Sequence, residues 1–259
     1  LKEPADIYLA ALLLVFGLLL GSFYNVVAYR LPRGQSPWNP RRSHCPSCDY
    51  ELAARDNIPV FGWLILRGRC RNCDARISRR YPLFEALNGL LFAAAGLKFG
   101  FTPELVPALL LISTLVIVAN ADLDKRIVPN KVIVPSLVLG VLAQLWANPD
   151  QWLTWTLSAL IAFAAMFLAA LAYPAGMGMG DVKLAAVLGL YLGRAVAPAM
   201  LIAFLVGTVV GLVVMAQKGV ADGRKTAIPF APFMGIGGIV ALFWGESIVQ
   251  WYLDTFASS

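Results

Sequence analysis

Long uncharged runs, broken by short clusters of charge, organise most of this chain. They cover 7–29, 105–121, 132–149, 151–180, 195–217 and 226–245. Each is close to or above the ~17–25 residues a helix needs to cross the hydrocarbon of a bilayer. Two shorter runs, 86–97 between Glu85 and Lys98 and 184–193 between Lys183 and Arg194, span only if the flanking side chains snorkel to the interfaces. The pattern predicts about eight helices, six of them long enough unaided. One long polar stretch interrupts it. The expected organisation is a first transmembrane helix over 1–29, a polar loop domain over 30–82 and a seven-helix membrane core over 83–259. The first run outlasts the ~7–15-residue apolar core of a secretory signal and ends in Ala28-Tyr29-Arg30 without a small-x-small cleavage site, so a retained helix is expected. Because the chain begins at Leu1 rather than Met, a few native residues are expected to precede it.

Composition agrees with this pattern. Of 259 residues, 59% are hydrophobic and only 14% charged, with a mean hydropathy of +0.71. A soluble domain carries about 25% charged residues. The deficit argues against a soluble enzyme, and the apolar content excludes disorder. The net charge of +6 would suit nucleic acid, but its location says otherwise. Eleven arginines lie in the stretch from Arg30 to Arg80, and basic residues beside short spans stay in the cytoplasm. With that loop inside, eight spans place Lys125, Arg126, Lys131, Lys183, Lys218, Arg224 and Lys225 inside too, and only Lys2, Lys98 and Arg194 outside. The split is 18 against 3, and both termini become extracytoplasmic. The basic excess is therefore mostly a topology signal, not a nucleic-acid footprint, although the loop can also meet anionic lipid or an acidic partner.

All four cysteines stand in that loop, as Cys45-Pro-Ser-Cys48 and Cys70-Arg-Asn-Cys73, with 21 residues between the pairs. Two such knuckles bring four thiolates into a tetrahedron that suits Zn2+. Two disulfides are the alternative, disfavoured in a reducing cytoplasm. Four cysteines leave no open position for water, so the expected role is structural. His44, the one histidine, is read as a surface neighbour of Cys45, with replacement of a cysteine ligand as the other option. A single histidine gives Ser/His or Cys/His nucleophilic catalysis almost no support.

Acids at the ends of membrane helices are costly and mark function. Two cases stand out: Asp122-Leu-Asp124-Lys125-Arg126 after one apolar run, and Gly176-Met-Gly178-Met-Gly180-Asp181-Val-Lys183 before another. Two spans separate them, so Asp122 and Asp181 share the cytosolic boundary. Carboxylates about 3–5 Å apart cannot both ionise easily. One then serves as base and the other as acid, the equipment for activating water against a peptide carbonyl and protonating the leaving amine. Gly178 and Gly180 would let an extended substrate backbone approach closely. Three readings stay open on residue chemistry alone: a catalytic dyad, an ion-coupling pair in a membrane carrier, and structural roles such as interfacial ion pairs or a helix N-cap.

Further segments narrow these readings. Gly21-Ser22-Phe23-x-Asn25-Val26-Val27-x-Tyr29-Arg30-Leu31-Pro32 closes the first helix. The loop holds Cys-Pro-x-Cys, Asp56-Asn57-Ile58-Pro59-Val60, Leu66-Arg67-Gly68-Arg69-Cys70-Arg71-x-Cys73 and Ile77-Ser78-x-Arg80-Tyr81-Pro82-Leu83-x-Glu85. Asp122-x6-Pro129-Asn130 and Gly178-x-Gly180-Asp181 follow. This order, from about residue 17 to 240, resembles the bacterial prepilin peptidases, bifunctional leader peptidase/N-methyltransferases of type IV pilus and type II secretion systems. The resemblance implies a Gly-x-Gly-Asp membrane aspartic protease of a bacterial inner membrane. Such an enzyme removes the basic leader of prepilins and pseudopilins at the cytosolic face, then methylates the new N terminus with S-adenosylmethionine. By motif position, Asp122 and Asp181 are its catalytic pair and Asp124 a neighbouring decoy. Gly68 and Arg69 fall in the region tied to methyl transfer. Gly17-x3-Gly21 and Gly207-x3-Gly211 offer close helix packing, read first as packing within the bundle, with substrate docking or a homo-oligomer as alternatives. The overall expectation is an all-α polytopic membrane protein with a small zinc-binding cytoplasmic loop domain.

Overall fold

The structure, a computed structural model, describes residues 4–39, 42–173, 177–219 and 226–256. Lys2, Arg41, Gly176, Arg224 and Lys225 lie outside them. The chain is helical, and isolated bridges are the only β pairing among the described residues. Its helices are α1 (Pro4–Arg30), a five-residue α2 (Phe61–Ile65), α3 (Arg80–Phe99), α4 (Leu105–Lys125), α5 (Asn130–Ala147), α6 (Trp152–Ala172), α7 (Met179–Leu192), α8 (Val196–Lys218) and α9 (Ala231–Phe256). Apart from α2 there are eight among the described residues, and six apolar segments are long enough to cross a membrane.

The two short runs are parts of longer helices. α3 has twenty residues, about 30 Å of helix, because Arg80, Glu85 and Lys98 are inside it. Main-chain hydrogen bonds continue past a charge, whereas a count of apolar residues stops there. α7 likewise opens before Asp181, but Gly193, at φ 54, turns the chain into α8 after only fourteen residues. α9 runs beyond the apolar stretch to include Glu246 and Asp254.

The chain divides into two compact units, Leu1–Leu105 and Val106–Ser259. In the first, α1 and α3 pack through glycines. A Cβ on Gly17 would lie 2.9 Å from Gly89 Cα and Phe92 Cβ, and one on Gly21 would lie 2.9 Å from Glu85 Cα. Backbones this close favour small residues, as helix pairs in lipid do. The buried Asn88 side chain donates to the Gly17 carbonyl at 2.7 Å and ties the crossing. The Gly17-x3-Gly21 face is thus consumed inside the chain.

In the second unit α4 is the most enclosed helix, with Leu111, Ile112, Val118 and Ala121 fully buried. Thr114 and Ser136 share a hydrogen bond of 2.8 Å between α4 and α5. The Tyr191 hydroxyl donates to the Ser136 carbonyl at 2.9 Å. Gln144 donates to the carbonyls of Leu190 and Tyr191, both at 3.0 Å, supplying donors to the otherwise unpaired C-terminal end of α7. Outward-facing residues of α6 include Leu160, Ile161, Leu168 and Leu171, a surface suited to lipid. Gly207 packs against Phe230 and Phe233, while Gly211 meets nothing within 4 Å among the described residues.

A tight glycine contact between α6 and α7 yields a prediction. A Cβ on Gly189 would fall on the Ser158 carbonyl and 2.6 Å from Ala159 Cα. Both obstacles are backbone, so no side chain can turn aside. Gly189→Ala is expected to cost about 1–3 kcal/mol, read as a lower thermal midpoint of the detergent-solubilised protein. Gly211→Ala, entering open space, should leave the midpoint unchanged.

Candidate functional site

Asp122 sits in the last turn of α4 and is 6% exposed. Its Oδ2 accepts a hydrogen bond of 3.1 Å from the Ala231 amide, the first residue of α9. The contact fixes the carboxylate and satisfies one of the four amides that a helix N-terminus leaves unpaired. α4 then stops at Arg126, which has φ 55 and donates its amide to the Asp122 carbonyl at 2.8 Å. A left-handed residue here ends the helix in the manner of a C-cap. Asp124, two residues beyond Asp122, is exposed.

Asp181 lies in the first turn of α7, half-buried, behind the N-cap Gly178. The Asp181 amide donates to the Gly178 carbonyl at 3.1 Å and closes the first turn. Asp181 thus opens the helix that packs, through Gly180, on the turn after Asp122, while Asp124 stays at the surface. Gly180 has an intrachain reason to be glycine, since a Cβ there would lie 2.6 Å from Val128 Cβ. Val128 belongs to the turn after Asp122, so Gly180 keeps that turn against α7. Lys183 donates to Asn130 Oδ1 at 3.0 Å, a second tie between the same segments. Gly180→Ala is expected to displace Val128 and lower any reaction at the acids roughly ten- to a hundredfold, measured as initial rate at saturating substrate.

In the first unit the four cysteines converge, each sulfur within 4.8 Å of the others. Cys45 and Cys73 are 3.8 Å apart, Cys48 and Cys70 4.0 Å. A tetrahedral ion with ~2.3 Å metal–sulfur bonds needs sulfurs about 3.8 Å apart. All four are free thiols rather than disulfides. Two turns of one design build the cluster. Asp49 and Asp74, each following the second cysteine of its pair, have φ 53 and 56. Each donates to the carbonyl of the first cysteine, at 2.9 and 3.1 Å. His44 and Arg69, each preceding the first cysteine, bridge to Glu51 and Arg76. The His44 imidazole lies 4.0 Å from the Glu51 carboxylate. The Tyr50 amide, then the Asn72 side chain, hold the Cys48 thiol below its usual range. The Ala75 amide draws Cys73 down, but Cys48, burial and the other two cysteines together push it up to about 12. Four thiolates this close need a cation to coexist.

Gly68 has φ 68, and a Cβ there would meet the Trp63 ring at 2.7 Å. It forms the turn that lets Ile77 donate to its carbonyl at 2.8 Å while the Trp63 indole donates to the Ile77 carbonyl at 3.1 Å. Arg69 is exposed. Neither residue faces the cavity of about 400 Å3 that opens in this unit, whose walls include Asn25, Trp63, Arg71, Tyr81 and Glu85.

Sequence reasoning passed over two pairings here. Arg71 grips Asp56 with Nε 3.1 Å from both carboxylate oxygens and Nη2 2.6 Å from Oδ1. That hydrogen bonding holds the Asp56 carboxyl well below its usual range. Glu85 accepts a 2.7 Å hydrogen bond from the Val60 amide. Val60 has φ 62, strained for a β-branched residue. The separation of Asp56 and Arg71 along the chain hid the first pairing, and the second needs a turn that no local signal announces.

Residues 15–99 match the bacterial peptidase A24 N-terminal domain, and residues 109–214 match the type IV leader peptidase family. The prepilin leader peptidase/N-methyltransferase of Bacillus subtilis is 36% identical, over 94% of this chain and 97% of its own. That of Pseudomonas aeruginosa is 34% identical over 98% and 96%. A third, from Myxococcus xanthus, is 41% identical over 83% of this chain and 66% of its own. No solved structure matches the chain. With two family models in tandem and such identity along nearly the whole length, the chain belongs to the type IV leader peptidase family.

Proposed function

We propose that this membrane protein cleaves the basic leader of type IV prepilins and pseudopilins at the cytoplasmic face of a bacterial inner membrane and N-methylates the new N-terminal residue. The observation that carries the peptidase half is the buried Asp122 at the end of one membrane helix, with the turn that follows it held against the first turns of α7, which bear Asp181, by the Val128–Gly180 and Asn130–Lys183 contacts. One carboxylate takes a proton from water as the water oxygen bonds to the scissile carbonyl carbon. The other, protonated, gives its proton to the leaving nitrogen as the C–N bond breaks. The Ala231 amide keeps Asp122 oriented. Gly178, exposed beside Asp181, lets the substrate strand approach, and Gly180 positions it indirectly by seating the Val128 turn. A prepilin, with a hydrophobic helix behind a polar leader, presents its scissile bond at the depth of such helix ends. The family assignment sets aside the ion-coupled carrier.

S-adenosylmethionine supplies the methyl group. The four cysteines hold a structural Zn2+ that organises residues 44–74, and the basic loop places them in the cytoplasm. Gly68 acts by shaping its turn, with Arg69 beside it. The decisive experiment is incubation of the purified protein with a panel of prepilins, with and without S-adenosylmethionine, read by mass spectrometry. Leader loss in both arms and methyl gain only with the cofactor is the expected result. Intact prepilin throughout overturns the reading.

The acids and the candidate methyl-transfer residues belong to different units. Asp122→Asn or Asp181→Asn protein is therefore expected to methylate a pre-cleaved pilin at close to the normal rate. Parallel loss of methyl incorporation would show one shared site.

A further inference from the structure

The cavity of the first unit lies between the C-terminal end of α1, the N-terminal end of α3 and the cysteine-bearing loop. At about 400 Å3 it falls within the range of small-molecule sites, which are mostly apolar with a few converging polar groups. Val26, Leu66 and Ile77 supply apolar wall, and Trp63 and Tyr81 supply rings.

Glu85 is the feature that selects a ligand. It is 8% exposed. Its Oε2 accepts from the Val60 amide at 2.7 Å, and its Oε1 takes a long 3.4 Å contact from Asn25 Nδ2, which also donates to the Tyr81 carbonyl at 3.1 Å. The Ser22 hydroxyl also reaches it. Among the described residues no lysine, arginine or histidine forms an ion pair with it. Asp56, the other buried acid of the wall, is already neutralised by Arg71. A buried carboxylate without a counter-charge is costly. The surrounding chain also bends to hold it, since Val60 stands in a strained turn closed by the Phe61 amide on the Pro59 carbonyl at 2.6 Å. Such strain collects where function needs a fixed group.

We propose that this cavity binds S-adenosylmethionine, with Glu85 facing its sulfonium. The inference rests on the methyl-transfer half of the function proposed above. The adenine ring suits the aromatic wall. The freed pilin amine is also a cation, but it must be neutral to offer a lone pair. The charge that persists until reaction is therefore on sulfur. In the transfer the amine nitrogen bonds to the methyl carbon, the C–S bond breaks and its electron pair stays on sulfur. The positive charge passes from sulfur to nitrogen, whose extra proton then leaves to water. A carboxylate in the wall stays paired throughout.

The test is calorimetric titration of the zinc-loaded protein in detergent with S-adenosylmethionine and with S-adenosylhomocysteine, the neutral thioether. Glu85→Gln should weaken the first about tenfold, as loss of one charge-assisted contact does, and the second less than about threefold. Val26→Trp, which fills the cavity, should weaken both about tenfold or more. Metal content and thermal midpoint report whether each variant folds. Equal weakening of both ligands by Glu85→Gln overturns the sulfonium pairing, and wild-type affinities in both folded variants overturn the site. Should either variant fail to fold, photo-crosslinking of labelled S-adenosylmethionine to the wild-type protein with mature pilin present decides. Label on Trp63 or Tyr81 supports the site, and label confined to the second unit refutes it. A wild-type protein that neither binds the cofactor nor methylates pilin would instead remove the functional reading beneath it.

Discussion

Asp122→Asn and Asp181→Asn are each expected to abolish leader cleavage, with a loss of at least about 10²–10⁴-fold from removing one acid–base partner. The geometry makes the test a chemical one. Asparagine at 122 retains an oxygen that can accept from the Ala231 amide, so the link from α4 to α9 is kept. At 181 it keeps the size of the side chain and the main-chain hydrogen bond to the Gly178 carbonyl. Both variants should insert and melt like the parent protein while failing to shorten a prepilin, as measured by mass spectrometry. Asp124→Asn, at an exposed position, should keep substantial activity. Near-normal cleavage by either dyad variant would sink the assignment, and a dead Asp124→Asn protein would mean that the wrong acid has been chosen.

Removing the metal is expected to have the second large effect. Apparent binding energies for zinc in small thiolate domains are about 10–16 kcal/mol at pH 7. Without it, residues 44–74 of this chain keep only the knuckle and α2 turns, the Asp56–Arg71 and Arg42–Glu51 pairs and a few hydrogen bonds to Ile77 and Glu85. About one zinc per chain should appear in elemental analysis of protein purified without chelator. Cys70→Ser should lose it and open the loop to proteolysis between residues 44 and 74, while the helices remain membrane-inserted. Metal-free protein with a protease-resistant loop would refute the role assigned to the four thiols.

Much of the fold is legible in the amino-acid sequence because hydrocarbon imposes a local rule. A helix that satisfies its own backbone can be counted from apolar run length, so the long runs correspond to α1, α4, α5, α6, α8 and α9. The same rule falters where charge lies inside a helix. α3 includes Arg80, Glu85 and Lys98, and α7 opens with Asp181 and Lys183 in its first turns. Cysteine spacing is equally legible, since each knuckle closes within a few residues and only one long-range step joins the two.

The residue types available for chemistry can be read along the chain: two acids at helix ends and four thiols in one loop. Which of them are buried, and what each one touches, depends on how the distant segments pack. Tertiary structure buried Asp122 under the first turn of α9 while leaving Asp124 in the open. It filled the space beside Gly180 with Val128 and the space beside Gly68 with Trp63, so those glycines answer first to their own chain. It paired Asp56 with Arg71 while leaving Glu85 on the wall of a cavity without a basic partner among the described residues. None of these outcomes has a local code. Run length and spacing act within a turn or a helix, whereas desolvation and charge pairing depend on which distant backbone closes over a side chain.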